Sequence, residues 1–285
     1  MFKKLANNRR VCLAVLVGVL GVAAIASAET AEPSEPALMF VQLADPQLGM
    51  GGYEHDVETL KLAVEALNAL EPDFVVVCGD LVHETASAEA FKDFKDIMSG
   101  LAVPHYCAAG NHDIGSPPTE ETLARYREMI GEDYFAVDRE GLRLVIVNTQ
   151  FWKTPVENET AKHDAWLRET LADARGKDLP VIVAGHHPLF LRDAGEDEQY
   201  YNIPPGTRSE FLNLFKESGV LAILTGHAHR EIIHEYEGML FVTSQTTSRN
   251  FDGAPMGYRV WEMDEDGSLR HEYVAIEGAE PPQQN

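Results

Sequence analysis

Two apolar segments that run into glycine and then histidine constrain the fold of this chain more than any other feature. Residues 181–187 read Val-Ile-Val-Ala-Gly-His-His, and residues 221–229 read Leu-Ala-Ile-Leu-Thr-Gly-His-Ala-His. Continuous apolar runs without alternation are typical of strands that are buried on both faces of a parallel sheet. The histidines therefore follow the carboxyl ends of two strands, which is where open α/β sheets bind ligands.

The remaining hydrophobic pattern predicts a layered α/β protein. Helical spacing of apolar residues predicts helices at 57–70, 86–98, 119–130, 161–174 and 207–216. Further strands are expected at 38–43, 73–78, 103–108, 134–137, 142–148, 232–236, 239–243, 257–263 and 269–276. Strands that alternate with helices, followed by antiparallel hairpins, indicate two mixed sheets covered by helices. We therefore expect a four-layer α/β/β/α sandwich.

The first residues are typical of a targeting segment. Basic residues precede an apolar stretch at 11–25, and Ala-Ser-Ala follows at 26–28, as in a secretory signal peptide cleaved before Glu29. An uncleaved membrane anchor is the alternative. Residues 29–37 and 278–285 are predicted to be disordered, which leaves one domain at 38–277. The sequence thus predicts an exported protein, periplasmic or extracellular, with no stable membrane association after cleavage.

The charge of the predicted mature chain excludes some partners. Removal of residues 1–28 takes four of the 23 Lys and Arg residues, so 19 remain against 46 Asp and Glu, a net charge of −27. Such a surface repels nucleic acid and anionic membranes, but a local metal cluster can still attract a small phosphorylated substrate. Cys78 and Cys107 end apolar runs and are expected to be buried free thiols rather than a disulfide.

Polar side chains with metal-binding capacity follow several of the predicted strands. Carboxylate, amide and imidazole groups suit Mn, Fe, Zn or Mg, and the lack of clustered thiolates argues against a structural zinc site. The set is too large for one ion and fits two. Its members are Asp45, Gln47, Asp80, Asn111, His112, Asp113, His186, His187, His227 and His229.

These motifs, in this order, resemble those of the calcineurin-like metallophosphoesterases. The specific elements are Gly-Asn-His-Asp at 110–113 and Gly-His-Ala-His at 226–229. Asp-Pro-Gln at 45–47 and the acidic loop at 196–200 are similar to a branch that includes a serine/threonine protein phosphatase. The resemblance implies the four-layer fold, two divalent metal ions, and hydrolysis of phosphate monoesters by a metal-bridging hydroxide. A phosphodiesterase on the same core and a metal-loaded binding protein without turnover are the alternatives.

The resemblance also implies a role for each ligand. Asp80 would bridge the two metals, and Asp45 and His229 would hold the first. The second metal would be held by Asn111, His186 and His227.

The resemblance further implies that His112 acts as general acid or stabilises the transition state, with Asp113 orienting its ring. The chain departs from the family pattern at Gln47, where most members have a histidine ligand. We expect His83 to supply the missing nitrogen, because it follows Asp80 by three residues, where purple acid phosphatases carry a tyrosine ligand. The alternative is that His83 contacts a metal-binding residue or the phosphate of the substrate.

Four more residues are predicted to contact the substrate. Only one histidine of the pair at 186–187 is expected to bind metal, which leaves His187 as a support or a substrate contact. A long irregular loop follows the predicted strand at 181–184, and loops in this position shape access to a site. It contains Arg192, Tyr200 and Asn202. Arg192 and Arg208 flank this loop, and each either binds a phosphate or is a solvated charge.

Overall fold

The strands form two mixed sheets that face each other. The computed structural model describes residues 36–85 and 87–282. In chain order the strands are β1 (Leu38–Leu43), β2 (Phe74–Cys78), β3 (His105–Ala108), β4 (Phe135–Arg139), β5 (Leu142–Ile146), β6 (Val181–Ala184), β7 (Val220–Thr225), β8 (Ile232–Tyr236), β9 (Met239–Thr243), β10 (Gly257–Met263) and β11 (Leu269–Ala275).

The order of the strands brings the predicted ligands to one edge. The first sheet has the order β11-β10-β1-β2-β3, and the second has the order β4-β5-β6-β7-β9-β8. Strands β1, β2 and β3 are mutually parallel, as are β5, β6, β7 and β9. The carboxyl ends of the parallel strands in each sheet therefore lie side by side.

Helices cover the outer faces of both sheets. They are α1 (Tyr53–Leu70), α2 (Ala88–Met98), α3 (Asn111–Ile114), α4 (Glu120–Met129), α5 (Gln150–Lys153), α6 (Glu159–Gly176) and α7 (Pro205–Ser218). One core cluster joins α1, α2 and α4 to the first sheet, and a second joins α6 and α7 to the other sheet. A third cluster, which includes Phe40, Phe74 and Trp261, lies between the sheets. The predicted four-layer sandwich is thus confirmed.

Two helices were not predicted, and both directly follow strand ends. Helices α3 and α5 have four residues each, which is too short to show a hydrophobic period. Helices α1, α6 and α7 extend past their predicted bounds, whereas α2 and α4 stay within theirs. Helix α1 begins at Tyr53 rather than at residue 57. A buried polar residue sets this earlier start. Asp56 accepts hydrogen bonds from the amides of Gly49 and Gly51, which fixes the loop before the helix.

The predictions for the two ends of the chain have different outcomes. The predicted signal peptide and most of the predicted linker, residues 1–35, lie outside the described residues, so export stays a prediction. The sequence predicts a disordered tail from residue 278, but Ala279 packs against the first core cluster. The carbonyl of Glu280 also lies 2.7 Å from Nε2 of His55 on α1. A turn between Ile276 and Ala279 directs the chain back onto this helix.

Two further findings concern the thiols and the membrane. Within the part of the chain that the structure describes, Cys78 and Cys107 are buried free thiols, as predicted, and burial raises the pKa of both. Across the described residues, no helix combines the length and hydrophobicity needed to cross a bilayer.

Gln42 joins the two sheets directly below the predicted site. Its Nε2 donates to the carbonyls of Thr225, at 3.0 Å, and Val242, at 3.2 Å, both on the second sheet. Its Oε1 accepts from Nε1 of Trp261, at 3.1 Å. The side chain is fully buried on β1, which leads to Asp45, while Thr225 ends the strand that leads to His227. Gln42 therefore fixes the strand ends relative to each other.

We predict that Gln42→Leu lowers the free energy of unfolding by about 1–3 kcal/mol, because the indole N–H of Trp261 stays buried without an acceptor. Urea unfolding of the two proteins in the presence of a metal chelator measures this difference in free energy. The matched control is Trp261→Phe, which removes the donor. The double variant should lose less than the sum of the single losses, since it leaves no orphaned donor. Strict additivity would contradict this account of Gln42.

Candidate metal centre

The ends of five strands converge on one buried site between the two sheets. Asp45 follows β1, Asp80 follows β2, and Asn111 follows β3, while His186 follows β6 and His227 follows β7. One ligand atom from each of Asp80, His186 and His227 lies within 4.8 Å of the other two. The structure therefore brings together residues that lie up to about 180 positions apart, as the strand pattern predicted.

The backbone at these strand ends is strained. Five non-glycine residues have φ between 37° and 67°, in the left-handed region. Each such residue costs about 1–2 kcal/mol, and this conformation concentrates at functional sites. The strain turns each side chain into the site immediately after its strand. The five residues are Asp45, Gln47, Asp80, His227 and His229.

Two glycines allow the carboxylates to lie against the backbone. A Cβ atom on Gly110 would collide with Oδ1 of Asp80, and a Cβ atom on Gly226 would collide with Oδ2 of Asp45. Glycine is therefore required at both positions for steric reasons. This explains the glycine that begins the Gly-Asn-His-Asp motif and the glycine that begins the Gly-His-Ala-His motif.

Backbone amides stabilise both buried carboxylates. The amide of His227 donates to both oxygens of Asp45, at 3.0 Å each, and the amide of His112 donates to Oδ1 of Asp80, at 2.8 Å. Oδ2 of Asp80 lies 3.2 Å from Nε2 of His186. Both carboxyl groups are almost fully buried. These contacts orient the carboxylates and leave each with capacity for a cation.

Burial and neighbouring charge set the protonation of the acidic groups. Burial raises the pKa of Asp45 well above its usual value. Burial also opposes ionisation of Asp80, but the adjacent His186 outweighs it and lowers the pKa of Asp80 to about 2. Burial likewise disfavours the charged form of His186, and Asp80 raises its pKa to about 9 despite this. Without metal, Asp80 and His186 therefore form a buried ion pair.

Backbone carbonyls fix the orientation of the imidazoles. Nδ1 of His186 donates to the carbonyl of Cys78, at 2.9 Å, and Nδ1 of His229 donates to the carbonyl of Arg249, at 2.7 Å. Both rings thus present Nε2 to the carboxylates, and Nε2 of His229 lies 3.5 Å from Oδ1 of Asp45. Burial lowers the pKa of His229 to about 4 and that of His227 well below its usual value. His227 and His229 are therefore neutral, which is the form of imidazole that binds metal.

The residues present fit divalent cations. Oε1 of Gln47 and Nδ1 of His187 are buried and have no hydrogen-bond partner among the described residues, which is costly unless a bound group satisfies them. Oδ1 of Asn111 also points to the group, 3.1 Å from Nε2 of His186. Oxygen and imidazole nitrogen donors in this combination suit Mn, Fe, Zn or Mg.

The structure changes the role expected for Asp113. Its carboxylate accepts from the amides of Leu81, Val82 and Gly110, so it holds the two loops that carry Asp80 and Asn111. The ring of His112 is oriented instead by a backbone carbonyl, that of His83, which lies 2.7 Å from Nδ1. Asp113 is the third residue of the short helix α3 and faces back into its first turn, away from that ring. It positions backbone rather than the imidazole.

The two candidates for the missing ligand lie next to each other. Nε2 of Gln47 is 3.4 Å from Nδ1 of His83, and the ring of His83 stacks on that of His112, with 4.9 Å between centroids. If the amide of Gln47 donates, Nδ1 of His83 accepts. Oε1 of Gln47, which has no hydrogen-bond partner among the described residues, is then the atom of this pair that is available to bind a metal ion.

The predicted substrate-binding loop is held together by its own polar groups. The side chain of Asn202 bonds Glu196, Asp197 and Gln199, which uses both of its N–H groups and leaves it no donor for a phosphate, contrary to expectation. The buried guanidinium of Arg208 also does not face the site. It donates to the carbonyls of Leu189, Ala194, Glu196 and Ile203. Both residues therefore shape the loop.

Three other predicted contacts differ in their placement. Arg192 is exposed, and the structure shows no contact between it and the centre. His187 is buried, and its ring lies 4.0 Å from that of His227. The ring of Tyr200 lies 5.0 Å from that of His227, so it borders the centre as predicted.

Sequence reasoning missed two residues that contact histidines of the centre. Oγ1 of Thr149 accepts from the amides of His186 and His187, at 3.2 and 2.9 Å, and so fixes this pair. Phe251 stacks on His229, with 4.6 Å between centroids and 11° between the rings. Thr149 follows a strand in the same way as the metal-capable residues, which was an available signal. No sequence signal distinguishes Phe251.

Comparisons with known proteins found two similar sequences and a similar solved structure. The Serine/threonine-protein phosphatase CPPED1 of Danio rerio is 33% identical over 262 residues, with 84% of each chain covered. The 3',5'-cyclic adenosine monophosphate phosphodiesterase CpdA of Haemophilus influenzae is 26% identical over 268 residues, covering 85% of this chain and 92% of that protein. A dimetal phosphatase from Danio rerio has a similar fold, with a TM-score of 0.62, 15% identity and coverage of 85% and 100%.

The family itself follows from two of these comparisons. The model of the calcineurin-like phosphoesterases matches residues 38–231, which include every strand end that supplies the centre. The zebrafish relative exceeds 30% identity over most of both chains. This chain belongs to the calcineurin-like phosphoesterase family.

Proposed function

We propose that the protein is a metal-dependent phosphatase that holds two divalent cations and hydrolyses phosphate monoesters. The observation that carries the proposal is the convergence of two buried carboxylates with imidazoles whose free nitrogens face them. The CPPED1 relative, named a serine/threonine-protein phosphatase, supports the reaction class. The CpdA relative keeps phosphodiesterase activity as a second candidate.

The ligands divide between two halves of the site. Asp80 would contact both cations. Asp45 and His229 would hold the first cation. The second would be held by Asn111, His186 and His227. When bound, two divalent cations supply Lewis acidity that activates water near neutral pH and offsets the charge of the phosphoryl group.

His112 is placed to act on the leaving group. Its Nδ1 proton is committed to the carbonyl of His83, at 2.7 Å, so Nε2 is the atom available to the substrate. Its backbone amide is committed to Asp80, at 2.8 Å, which ties the ring to the carboxylate between the two halves. A protonated Nε2 donates a proton to the departing oxygen, and general acid catalysis of this kind contributes about 10²–10⁴-fold in rate.

Gln47 completes the first half in this proposal. Its Oε1 is buried and unpartnered, whereas the contact with Nε2 of Gln47 occupies Nδ1 of His83. His83 then orients His112 through its carbonyl and its ring. This assignment reverses the preference for His83 that the sequence suggested.

We predict that purified protein with Mn²⁺ hydrolyses an aryl phosphate faster than the matching bis-aryl phosphate, and that chelation abolishes turnover. His112→Asn should lower kcat by about 10²–10⁴-fold with metal content unchanged. The matched control is His105→Asn, at the opposite end of β3, which should keep normal turnover. Faster hydrolysis of the diester would indicate a phosphodiesterase. Metal binding without turnover of either ester would indicate a binding protein.

The ligand assignment gives a separate prediction. Gln47→Leu should bind one cation per chain, while Gln47→Glu, which keeps an oxygen donor, and His83→Ala should each bind two. Metal analysis after equilibrium dialysis measures this. If His83→Ala binds one cation and Gln47→Leu binds two, the nitrogen of His83 completes the site instead.

A further inference from the structure

Two exposed aromatic side chains lie on histidines of the metal centre. Within the described residues, four large hydrophobic side chains are exposed: Tyr53, Tyr200, Ile233 and Phe251. Tyr200 is 61% exposed and Phe251 is 48% exposed, yet Tyr200 contacts the ring of His227 and Phe251 contacts that of His229. Exposed apolar surface grouped at a binding cleft marks a place for a ligand.

The fold fixes Tyr200 in this exposed position. The ammonium of Lys153 donates to the carbonyls of Gln199, at 2.6 Å, and Asn202, at 3.0 Å, which lie on either side of it. The carbonyl of Tyr200 itself lies 3.5 Å from Nε2 of His227. Because the backbone is held on both sides, the ring does not need to be ordered when a ligand binds.

Phe251 is held in the same way by its neighbours. Asn250 accepts from the amide of Thr246, at 2.7 Å, and donates to the carbonyl of Pro255, at 2.8 Å. Asp252 accepts from the amides of Glu231 and Ala254. The amide of Phe251 donates to the carbonyl of His229, at 2.7 Å. One face of the phenyl ring covers His229, and its other surface is open.

We propose that Tyr200 and Phe251, the aromatic rim, bind a planar aromatic ring in the leaving alcohol of the phosphate ester. This rests on the proposed function, since the cations bind the phosphate and the rim binds what is attached to it. His227 belongs to the second half of the centre and His229 to the first, so the rim has one ring on each half. Aromatic surfaces favour stacked or edge-on contacts with another ring over contacts with an aliphatic chain.

The charge around the rim selects among aromatic esters. The loop that carries Tyr200 has Asp193, Glu196, Asp197 and Glu198 against Arg192, and Lys153 pairs with Glu198 at 3.1 Å, so the loop stays net acidic. A leaving group with further phosphates would meet these carboxylates, and like charges oppose its binding. The rim therefore fits a monoester in which the phosphate is the sole anionic group and the alcohol is an uncharged aryl or arylalkyl group.

The test compares aromatic and aliphatic ligands of the metal-loaded protein. Calorimetry with phenylphosphonate and methylphosphonate, which are not hydrolysed, gives a ratio of dissociation constants. The ratio of kcat/KM for phenyl phosphate and ethyl phosphate gives a second readout. We expect Phe251→Leu and Tyr200→Leu each to lower the preference for the aromatic member by about 2- to 12-fold. Affinity for methylphosphonate and metal content should not change.

The controls separate stacking from support of the centre. Phe251→Tyr and Tyr200→Phe keep a ring and should keep the preference. Ile233→Ala removes an exposed apolar side chain on β8, the edge strand of the second sheet, and should have no effect. An unchanged preference in both leucine variants would overturn the inference, as would loss of metal from them, which would make the rings supports for the histidines. Failure of the parent protein to bind either phosphonate or hydrolyse either ester would instead overturn the proposed function.

Discussion

Two carboxylates buried near each other are the constraint on which the rest of the site depends. Asp45 and Asp80 have almost no exposed surface, and unpaired buried charge is among the most costly features in a protein. Amides of His227 and His112 and the imidazole of His186 offset part of that charge. Divalent cations offset the rest. The fold thus buries more negative charge than its own groups offset, and a metal ion would remove this unfavourable energy.

This constraint accounts for features that otherwise look unrelated. The carboxylates approach the backbone only where Gly110 and Gly226 leave room, and they point inward only because the strand ends adopt left-handed conformations. The strain at these positions is offset by packing between the sheets, where Gln42 crosslinks the strands that carry Asp45 and His227. Backbone carbonyls in turn hold the imidazole rings. Rigidity is therefore built in before any cation binds.

The sequence predicted the fold and the composition of the site because both follow from local patterns. Buried strands read as apolar runs, and the residues just after them must meet at one edge. It could not predict partners that depend on distant contacts. Asp113 bonds amides about 30 residues away instead of orienting the adjacent His112. Arg208 looked available for phosphate, yet it satisfies four loop carbonyls. Phe251 follows no motif, and only the folded chain brings it onto His229.

The central claim is that this buried site holds two cations in unequal halves. Anomalous diffraction from crystals of the Mn²⁺-loaded protein tests it most directly. The account predicts two peaks on either side of Asp80, one beside His186 and His227 and the other beside Asp45 and His229. The second peak should also contact Oε1 of Gln47. A single peak, or two peaks that share no contact with Asp80, would contradict the account.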